Sequence, residues 1–177
     1  MAHRSCRDVL HREPNAARPP DVITAAVPGW GALHLRHAVF DFNGTLACDG
    51  ALLSGVASAL TALADDVEVH VLTADTIGRA AAELDGLPLR LTVIGADDQT
   101  AAKRSYVESL GAETVVVFGN GRNDAQMLAV AHLGVALIQV EGCAAATLAA
   151  ADVVCTSVLD AIALVRSPGR LTATLRC

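Results

Sequence analysis

The chain has 177 residues, a length that suits one domain with a substantial core. Its formal net charge of -6 excludes the basic surface on which nucleic-acid binding depends. No apolar run is long enough for a membrane span, which predicts a soluble protein, and the five cysteines form no CxxC pair, which predicts reduced thiols in the cytoplasm.

Two segments precede the main domain. Residues 1–22 are polar and carry Pro14, Pro19 and Pro20, which predicts a disordered lead without the apolar stretch of a signal peptide. Residues 23–36 are predicted to form a short N-terminal β arm. Residues 37–177 are then predicted to form a single catalytic domain.

From residue 37 onward, short apolar segments alternate with segments of helical periodicity. Strands are predicted over 37–42, 67–73, 89–94, 114–118, 135–140 and 152–155. Helices are predicted over 52–64, 77–84, 98–110, 124–133, 144–150, 157–166 and 169–176. Apolar strands separated by helices indicate a Rossmann-like α/β fold, in which helices cover both faces of a parallel sheet.

The first strand of this domain ends on a carboxylate, Asp41, which Asn43 and Gly44 follow closely. Asn-Gly between apolar segments is a strong hairpin signal, and Asp41 can be interpreted as a strand-end residue that accepts turn hydrogen bonds. The other interpretation is a catalytic carboxylate at the mouth of a site. The remaining strand ends decide between the two.

Polar residues stand at the ends of two further strands, and carboxyl ends of parallel strands border the ligand crevice of such folds. The second strand is followed by Thr73, Ala74 and Asp75, and the fourth by Asn120, Asn123 and Asp124. Carboxylates, a hydroxyl and a nearby lysine suit a phosphoryl group and a divalent cation.

Lys103, in the helix before the fourth strand, is the one lysine among thirteen basic residues. All other basic residues of the chain are arginines. The lysine therefore indicates that this position needs a compact point charge, because the planar fork of arginine would not fit there. His70, inside an apolar strand, is interpreted instead as a packed core histidine rather than a ligand.

Four sequence motifs in this order resemble the haloacid dehalogenase (HAD) superfamily, and more closely the soluble relatives of the phosphorylation domain of P-type ATPases. They are "DFNGT" at 41–45, "VLTAD" at 71–75, the helical Lys103, and "GNGRND" at 119–124. The resemblance covers about residues 35 to 166. It implies a capless parallel-sheet domain that forms an aspartyl phosphate and uses Mg²⁺.

The resemblance also implies a role for each motif residue. Asp41 would be the nucleophile, with Asn43, Thr73 and Lys103 as the other catalytic residues. Phosphate would be bound by Gly44, Thr45, Thr73, Ala74 and Lys103. The metal would be held by Asp41, the carbonyl of Asn43, Asn120 and Asp124, with Asp75 and Asn123 in support.

Two positions depart from the motifs. Asn43 stands where HAD phosphatases carry the aspartate that acts as acid and base, and asparagine cannot transfer that proton, so slow hydrolysis is expected. Asn120 stands where the metal-binding aspartate is expected, so weaker Mg²⁺ binding is predicted. The alternatives are a non-catalytic module that binds phosphate or a phosphorylated partner, and an oligomeric scaffold with a vestigial site.

The motif spacing leaves no room for a cap domain. About 30 positions separate Asp41 from Thr73, and a similar number separate Thr73 from Lys103, whereas a domain needs at least about 50. The site is therefore expected to be open. Either the phosphorylated substrate is large, such as a macromolecule, or a neighbouring subunit of a homo-oligomer closes the crevice, with the N-terminal arm as a candidate for that contact.

Overall fold

The structure, a computed structural model, describes residues 22–74, 78–95 and 97–177. Apart from Val22, the predicted disordered lead lies outside the described residues, as does Asp75. Within the described ranges, no helix combines the length and the apolar character that crossing a membrane requires.

The described residues form ten strands, seven α-helices and two short 3₁₀ turns, the latter at Ala112–Thr114 and Arg122–Asp124. The strands are β1 Ile23–Val27, β2 Gly31–Leu35, β3 His37–Asp41, β4 Ala47–Cys48, β5 Ala51–Leu52, β6 Glu68–Thr73, β7 Arg90–Val93, β8 Val115–Gly119, β9 Leu133–Leu137 and β10 Val153–Cys155. The helices are α1 Val56–Leu63, α2 Arg79–Glu83, α3 Gln99–Ser109, α4 Ala125–Val130, α5 Ala145–Ala149, α6 Val158–Val165 and α7 Pro168–Leu175.

Six strands form one parallel sheet in the order β10-β9-β8-β3-β6-β7, which confirms the predicted Rossmann-like α/β fold. The apolar side chains of the sheet form two core clusters. β3 is fully buried at its centre, between β6 and β8. The described segments between β3 and α3 contain only the short elements β4 to β7, α1 and α2, so the described chain has no cap domain.

The N-terminal arm is an antiparallel hairpin of β1 and β2 that folds back onto its own chain. Alternate residues of β1 are buried, and α7 packs against the hairpin through Leu171 and Leu175. β2 leads directly into the amino end of β3. The hairpin therefore lies beside the amino ends of the strands, whereas the crevice lies at their carboxyl ends. The arm therefore cannot close the crevice of its own subunit, and its predicted contact with a neighbouring subunit stays a prediction.

The hairpin interpretation of Asn43-Gly44 is wrong, because both neighbours of β3 are parallel strands. The hairpin lies a few residues later, where β4 and β5 pair across Asp49 and Gly50. Both turn residues have positive φ, 52° and 80°, as a type I′ turn requires. The helix predicted from residue 52 consequently begins at Val56, because Leu52 ends β5.

The second boundary correction concerns the helix predicted over 124–133 and the strand predicted over 135–140. α4 ends at Val130 and β9 begins at Leu133, so Gly134 belongs to the strand and does not end the helix. A Cβ at Gly134 would lie 2.8 Å from the carbonyl oxygen of Leu128. Glycine at this position therefore allows α4 to pack closely on β9.

We expect Gly134→Ala to destabilise the fold by about 1–3 kcal/mol, because the added methyl overlaps the backbone of α4. Urea unfolding followed by circular dichroism measures the change. Gly169→Ala is the matched control, since a Cβ there meets open space and the residue has no positive φ; it should stay within about 1 kcal/mol of the unsubstituted chain. Equal stability of both variants would contradict this account of the α4–β9 contact.

Candidate active site

The carboxyl ends of β3, β6 and β8 border one open crevice of about 340 Å³. The chain order of the sheet reverses at β3, and ligands of open α/β sheets bind at such a position. Of the candidate residues, the crevice contains Asp41, Asn43, Thr73, Ala74, Lys103, Asn120 and Asn123, together with Gln99, Gly121 and Glu141.

At the base of the crevice, the ammonium of Lys103 lies between two carboxylates. Its Nζ is 2.5 Å from Asp41 Oδ1 and 2.6 Å from Asp124 Oδ1. Lys103 and Asp124 are fully buried, whereas 13% of the Asp41 side chain is exposed. α3 brings Lys103 to this place, and its first turn is capped by Asp98, whose carboxylate accepts the N–H of Ala101.

Asp124 also organises the loop after β8. Its Oδ2 accepts the backbone N–H groups of Asn120 and Gly121 at 3.0 and 2.8 Å, while its Oδ1 accepts from Lys103. A Cβ at Gly119 would lie 2.7 Å from the Cβ and from Oδ2 of Asp124, so the loop needs glycine there. Both carboxylate oxygens thus have protein partners, and the residue does not line the crevice. These contacts hold Lys103 and the loop, and metal binding by Asp124 stays a prediction.

The pKa of Asp41 depends on its burial and on the charges of Asp124 and Lys103. Burial raises the pKa of Asp41 to about 7, the negative charge of Asp124 acts in the same direction, and Lys103 opposes both. Burial alone would lower the pKa of Lys103, but the charges of Asp41 and Asp124 outweigh it and raise the pKa. Lys103 is therefore charged at neutral pH, and Asp41 takes up a proton as the pH falls through about 7.

Asn120 joins the two loops that border Asp41. Its Oδ1 accepts the hydroxyl of Thr45 at 3.3 Å, and its Nδ2 donates to the carbonyl of Gly142 at 3.0 Å. The amide packs on Gly44, which has a φ of 78°, and a Cβ at that position would lie 2.2 Å from Asn120 Nδ2. Gly44 is therefore required both for its backbone conformation and for the space that it leaves.

Gly44 and Thr45, predicted to bind phosphate, lie in the tight turn that follows Asp41. Both are buried outside the crevice lining. The N–H of Gly44 donates to the carbonyl of Ala47, and that of Thr45 to the carbonyl of Phe42. These donors are used within the turn that carries Asn43, and phosphate binding by the two residues stays a prediction.

Gln139, which the sequence motifs did not include, holds the same turn from the opposite side. Its Nε2 donates to the carbonyls of Gly44 and Thr45 at 3.0 and 2.8 Å, and its Oε1 accepts the N–H of Val158. The available signal was a polar side chain inside an otherwise apolar run.

Gln99 and Glu141 line the crevice and were also missed from the sequence. Gln99 Oε1 accepts a hydrogen bond from Asn123 Nδ2 at 2.9 Å. This bond holds the side chain of Asn123, the residue predicted to support the metal site. Glu141 is exposed, and its Oε1 accepts the N–H of Asp49 in the β4–β5 hairpin. A carboxylate after the end of a strand of the parallel sheet was the signal that could have identified Glu141.

The side chains that line the crevice offer metal ligands that suit a magnesium ion. Asp41, Asn43, Asn120 and Glu141 present only oxygen ligands, which hard cations prefer. The amide oxygen of Asn120 accepts one hydrogen bond and has a second lone pair for a metal. Asp41 and Glu141 are the two carboxylates on the lining, so the residues present fit the cation, with less negative charge than a site with aspartate at position 120.

The remaining candidates flank Asp41. Thr73 is buried at the end of β6, and Ala74 follows it half-buried on the crevice wall. Asn43 is exposed at the mouth, two residues after Asp41.

Comparison with known proteins gives one related sequence and several similar folds. No protein-family model matches the chain. An uncharacterized protein, MJ0073, of Methanocaldococcus jannaschii is 35% identical over 79 residues, which cover 42% of this chain and 85% of the relative. At that identity and coverage, the two chains belong to one family.

Several solved structures that resemble this chain are described as HAD family hydrolases or as phosphatases. A putative HAD family hydrolase from Streptomyces avermitilis is 22% identical, with a TM-score of 0.60 over 74% of this chain and 84% of its own. The 3-deoxy-D-manno-octulosonate 8-phosphate phosphatase from Moraxella catarrhalis, in complex with magnesium, phosphate and KDO, is 17% identical, with a TM-score of 0.62 over 80% and 94%. These likenesses show a shared fold.

We expect Lys103→Met to destabilise the protein by about 3–5 kcal/mol, because it leaves two neighbouring carboxylates without their shared cation. Urea unfolding of the variant and of the unsubstituted chain measures this. The double variant Lys103→Met/Asp124→Asn should recover part of the loss, since one of the two charges is then removed. A loss below about 1 kcal/mol, typical of exposed ion pairs, would contradict the buried arrangement.

Proposed function

We propose that this chain, by its fold a capless member of the haloacid dehalogenase (HAD) superfamily, is a Mg²⁺-dependent phosphatase or phosphotransferase that forms an aspartyl phosphate on Asp41. The observation that carries the proposal is the contact between Asp41 and the buried Lys103 at the carboxyl end of the central strand. The Moraxella phosphatase of the same fold, solved with magnesium and phosphate, supports it.

The side chains of the crevice supply the parts of a phosphoryl transfer. A carboxylate oxygen of Asp41 attacks the phosphorus of a phosphate ester, and the bond from phosphorus to the leaving oxygen breaks. Lys103 reduces the repulsion between the carboxylate and the incoming phosphoryl group, and the Thr73 side chain lies where it can hold a phosphoryl oxygen. When bound by Asp41, the Asn43 carbonyl and Asn120, Mg²⁺ would add positive charge to the same place.

Asn43 limits the turnover. The leaving oxygen needs a proton, and the later attack of water on the aspartyl phosphate needs a base; an amide supplies neither. The leaving oxygen then takes its proton from solvent, which the open crevice admits. The aspartyl phosphate consequently persists until water attacks it without assistance, releasing phosphate and restoring Asp41.

The open crevice also bears on the substrate. Because no cap domain covers it within the described residues, selectivity depends on the crevice wall and on the substrate itself. A phosphorylated substrate of any size can reach Asp41, including a phosphorylated macromolecule. The P-type ATPase likeness, the cytoplasmic location and closure by a second subunit remain predictions.

The second candidate function is a non-catalytic module that binds phosphate or a phosphorylated partner. The observation that favours it is the pair of amides, Asn43 and Asn120, at the two positions where a catalytic site of this fold is expected to carry carboxylates. Phosphate release that depends on Asp41 separates the two functions, because it supports only the first.

We expect Asp41→Asn to abolish phosphate release, by at least about 10³-fold, while the fold is retained, because the amide is a poor nucleophile. Phosphate release from p-nitrophenyl phosphate with Mg²⁺ measures activity, and circular dichroism measures folding. Asp85→Asn, at an exposed turn outside the crevice, is the matched control and should keep full activity. Unchanged activity of Asp41→Asn would rule out its role as nucleophile.

We expect Asn43→Asp to accelerate hydrolysis by about 10²–10⁴-fold for alkyl phosphates, whose leaving oxygens require a proton. The gain should be smaller for p-nitrophenyl phosphate, because nitrophenolate leaves readily as an anion. Steady-state rates at saturating Mg²⁺ measure both effects.

Asn123→Asp is the matched control for the Asn43 experiment. This substitution adds the same negative charge to the same crevice. Position 123 is not the acid and base position of the first motif, so the substitution should not accelerate hydrolysis. Equal rates of Asn43→Asp and the unsubstituted chain on both substrates would remove the acid and base role from position 43.

A further inference from the structure

Three metal-binding side chains meet at the amino end of the sheet, far from the crevice. His37 begins β3 and Glu68 begins β6, and these two residues are partners in the parallel register. His70 lies two residues after Glu68, so alternation along the strand places it on the same face of the sheet. Asp41 stands at the other end of β3, roughly 13 Å away at the rise of a strand.

The potential ligand atoms of these residues lie at distances that one ion can bridge. His37 Nδ1 is 3.1 Å from His70 Nε2, and Glu68 Oε2 is 3.8 Å from the first nitrogen and 3.9 Å from the second. A point equidistant from the three atoms lies about 2.1 Å from each, which is the bond length of zinc to imidazole nitrogen and carboxylate oxygen.

A neighbouring hydroxyl orients the buried imidazole toward this point. His70 is fully buried, and its Nδ1 is 3.0 Å from the hydroxyl of Tyr106 on α3. A hydrogen on Nδ1, donated to Tyr106, leaves the lone pair of Nε2 directed at His37 and Glu68. Metal-binding histidines are commonly held in this way by a partner on the second nitrogen.

Without a metal, the two imidazoles share one hydrogen bond, between His37 Nδ1 and His70 Nε2, and the carboxylate of Glu68 lies beside them. Arg90 Nη2 lies 3.2 Å from Glu68 Oε2, but the Arg90 side chain is 70% exposed, and an exposed ion pair contributes little stability. A divalent ion would accept both nitrogen lone pairs and the carboxylate charge together.

We propose that His37, Glu68 and His70 bind a divalent transition-metal ion, Zn²⁺ above all, that clamps the amino ends of β3 and β6. Two imidazoles and one carboxylate form a donor set suited to zinc, whereas the oxygen-only crevice suits Mg²⁺. The side chains of His37 and Glu68 are 17% and 35% exposed, so the ion can enter from solvent and keep water as a further ligand. The site is independent of the proposed phosphoryl transfer.

The test uses the full chain without an affinity tag, stripped of metal and supplied with excess Mg²⁺. Zn²⁺ is titrated by calorimetry, and Co²⁺ is added separately to read the ligand geometry from its visible absorption. We expect one Zn²⁺ to bind and to raise Tm, because the ion binds the folded state only. Tyr106→Phe should weaken Zn²⁺ binding about 10-fold. His37→Gln and Glu68→Gln, which each remove a ligand, should weaken it further and abolish the rise in Tm.

Two control variants test other potential ligands among the described residues. His34→Gln removes an exposed histidine of β2, and Glu141→Gln removes the exposed carboxylate that lies near Cys48 and Asp49; neither should change Zn²⁺ binding. Circular dichroism of every metal-free variant verifies folding. The proposal is overturned if the unsubstituted chain binds no Zn²⁺, or if the folded His37→Gln and Glu68→Gln variants bind it as tightly as the unsubstituted chain.

Discussion

The candidate site depends on the buried ammonium of Lys103 between the carboxylates of Asp41 and Asp124. This contact joins three segments that are distant in the sequence: the end of β3, the helix α3 and the loop after β8. It serves the fold, because each buried carboxylate requires a cation, and it serves the proposed chemistry, because the same cation faces the incoming phosphoryl group. A change at Lys103 therefore affects stability and catalysis together.

The two asparagines of the site have different physical consequences. Asn120 reduces the negative charge available to a metal, yet its amide connects the turn at Thr45 with the carbonyl of Gly142, so it retains a structural role. Asn43 is exposed at the mouth of the crevice. In the proposed mechanism it stands at the position of the acid and base, where an amide cannot transfer a proton. The proposed mechanism therefore keeps the nucleophile and lacks the acid and base, which would give a long-lived aspartyl phosphate.

The sequence predicted the parallel sheet and the strand-end positions of Asp41 and Thr73, because apolar runs and their polar ends are local signals. It missed Gln139, which contacts Gly44 across 95 positions, since nothing in the local pattern encodes such a contact. His70 was correctly predicted to be buried. Its approach to His37 depends on the register of β3 against β6, which periodicity does not determine. Gly44 and Thr45 were predicted to bind phosphate because they belong to the first motif. The motif does not show that their backbone N–H groups donate to carbonyls within the turn.

Localising the phosphoryl group on the chain tests the central claim most directly. The protein is incubated with acetyl phosphate and Mg²⁺, treated with borohydride, which reduces an aspartyl phosphate to homoserine, and digested for mass spectrometry. The account predicts homoserine at position 41 and at no other aspartate. An unmodified Asp41, or a modified carboxylate elsewhere in the chain, would contradict the account.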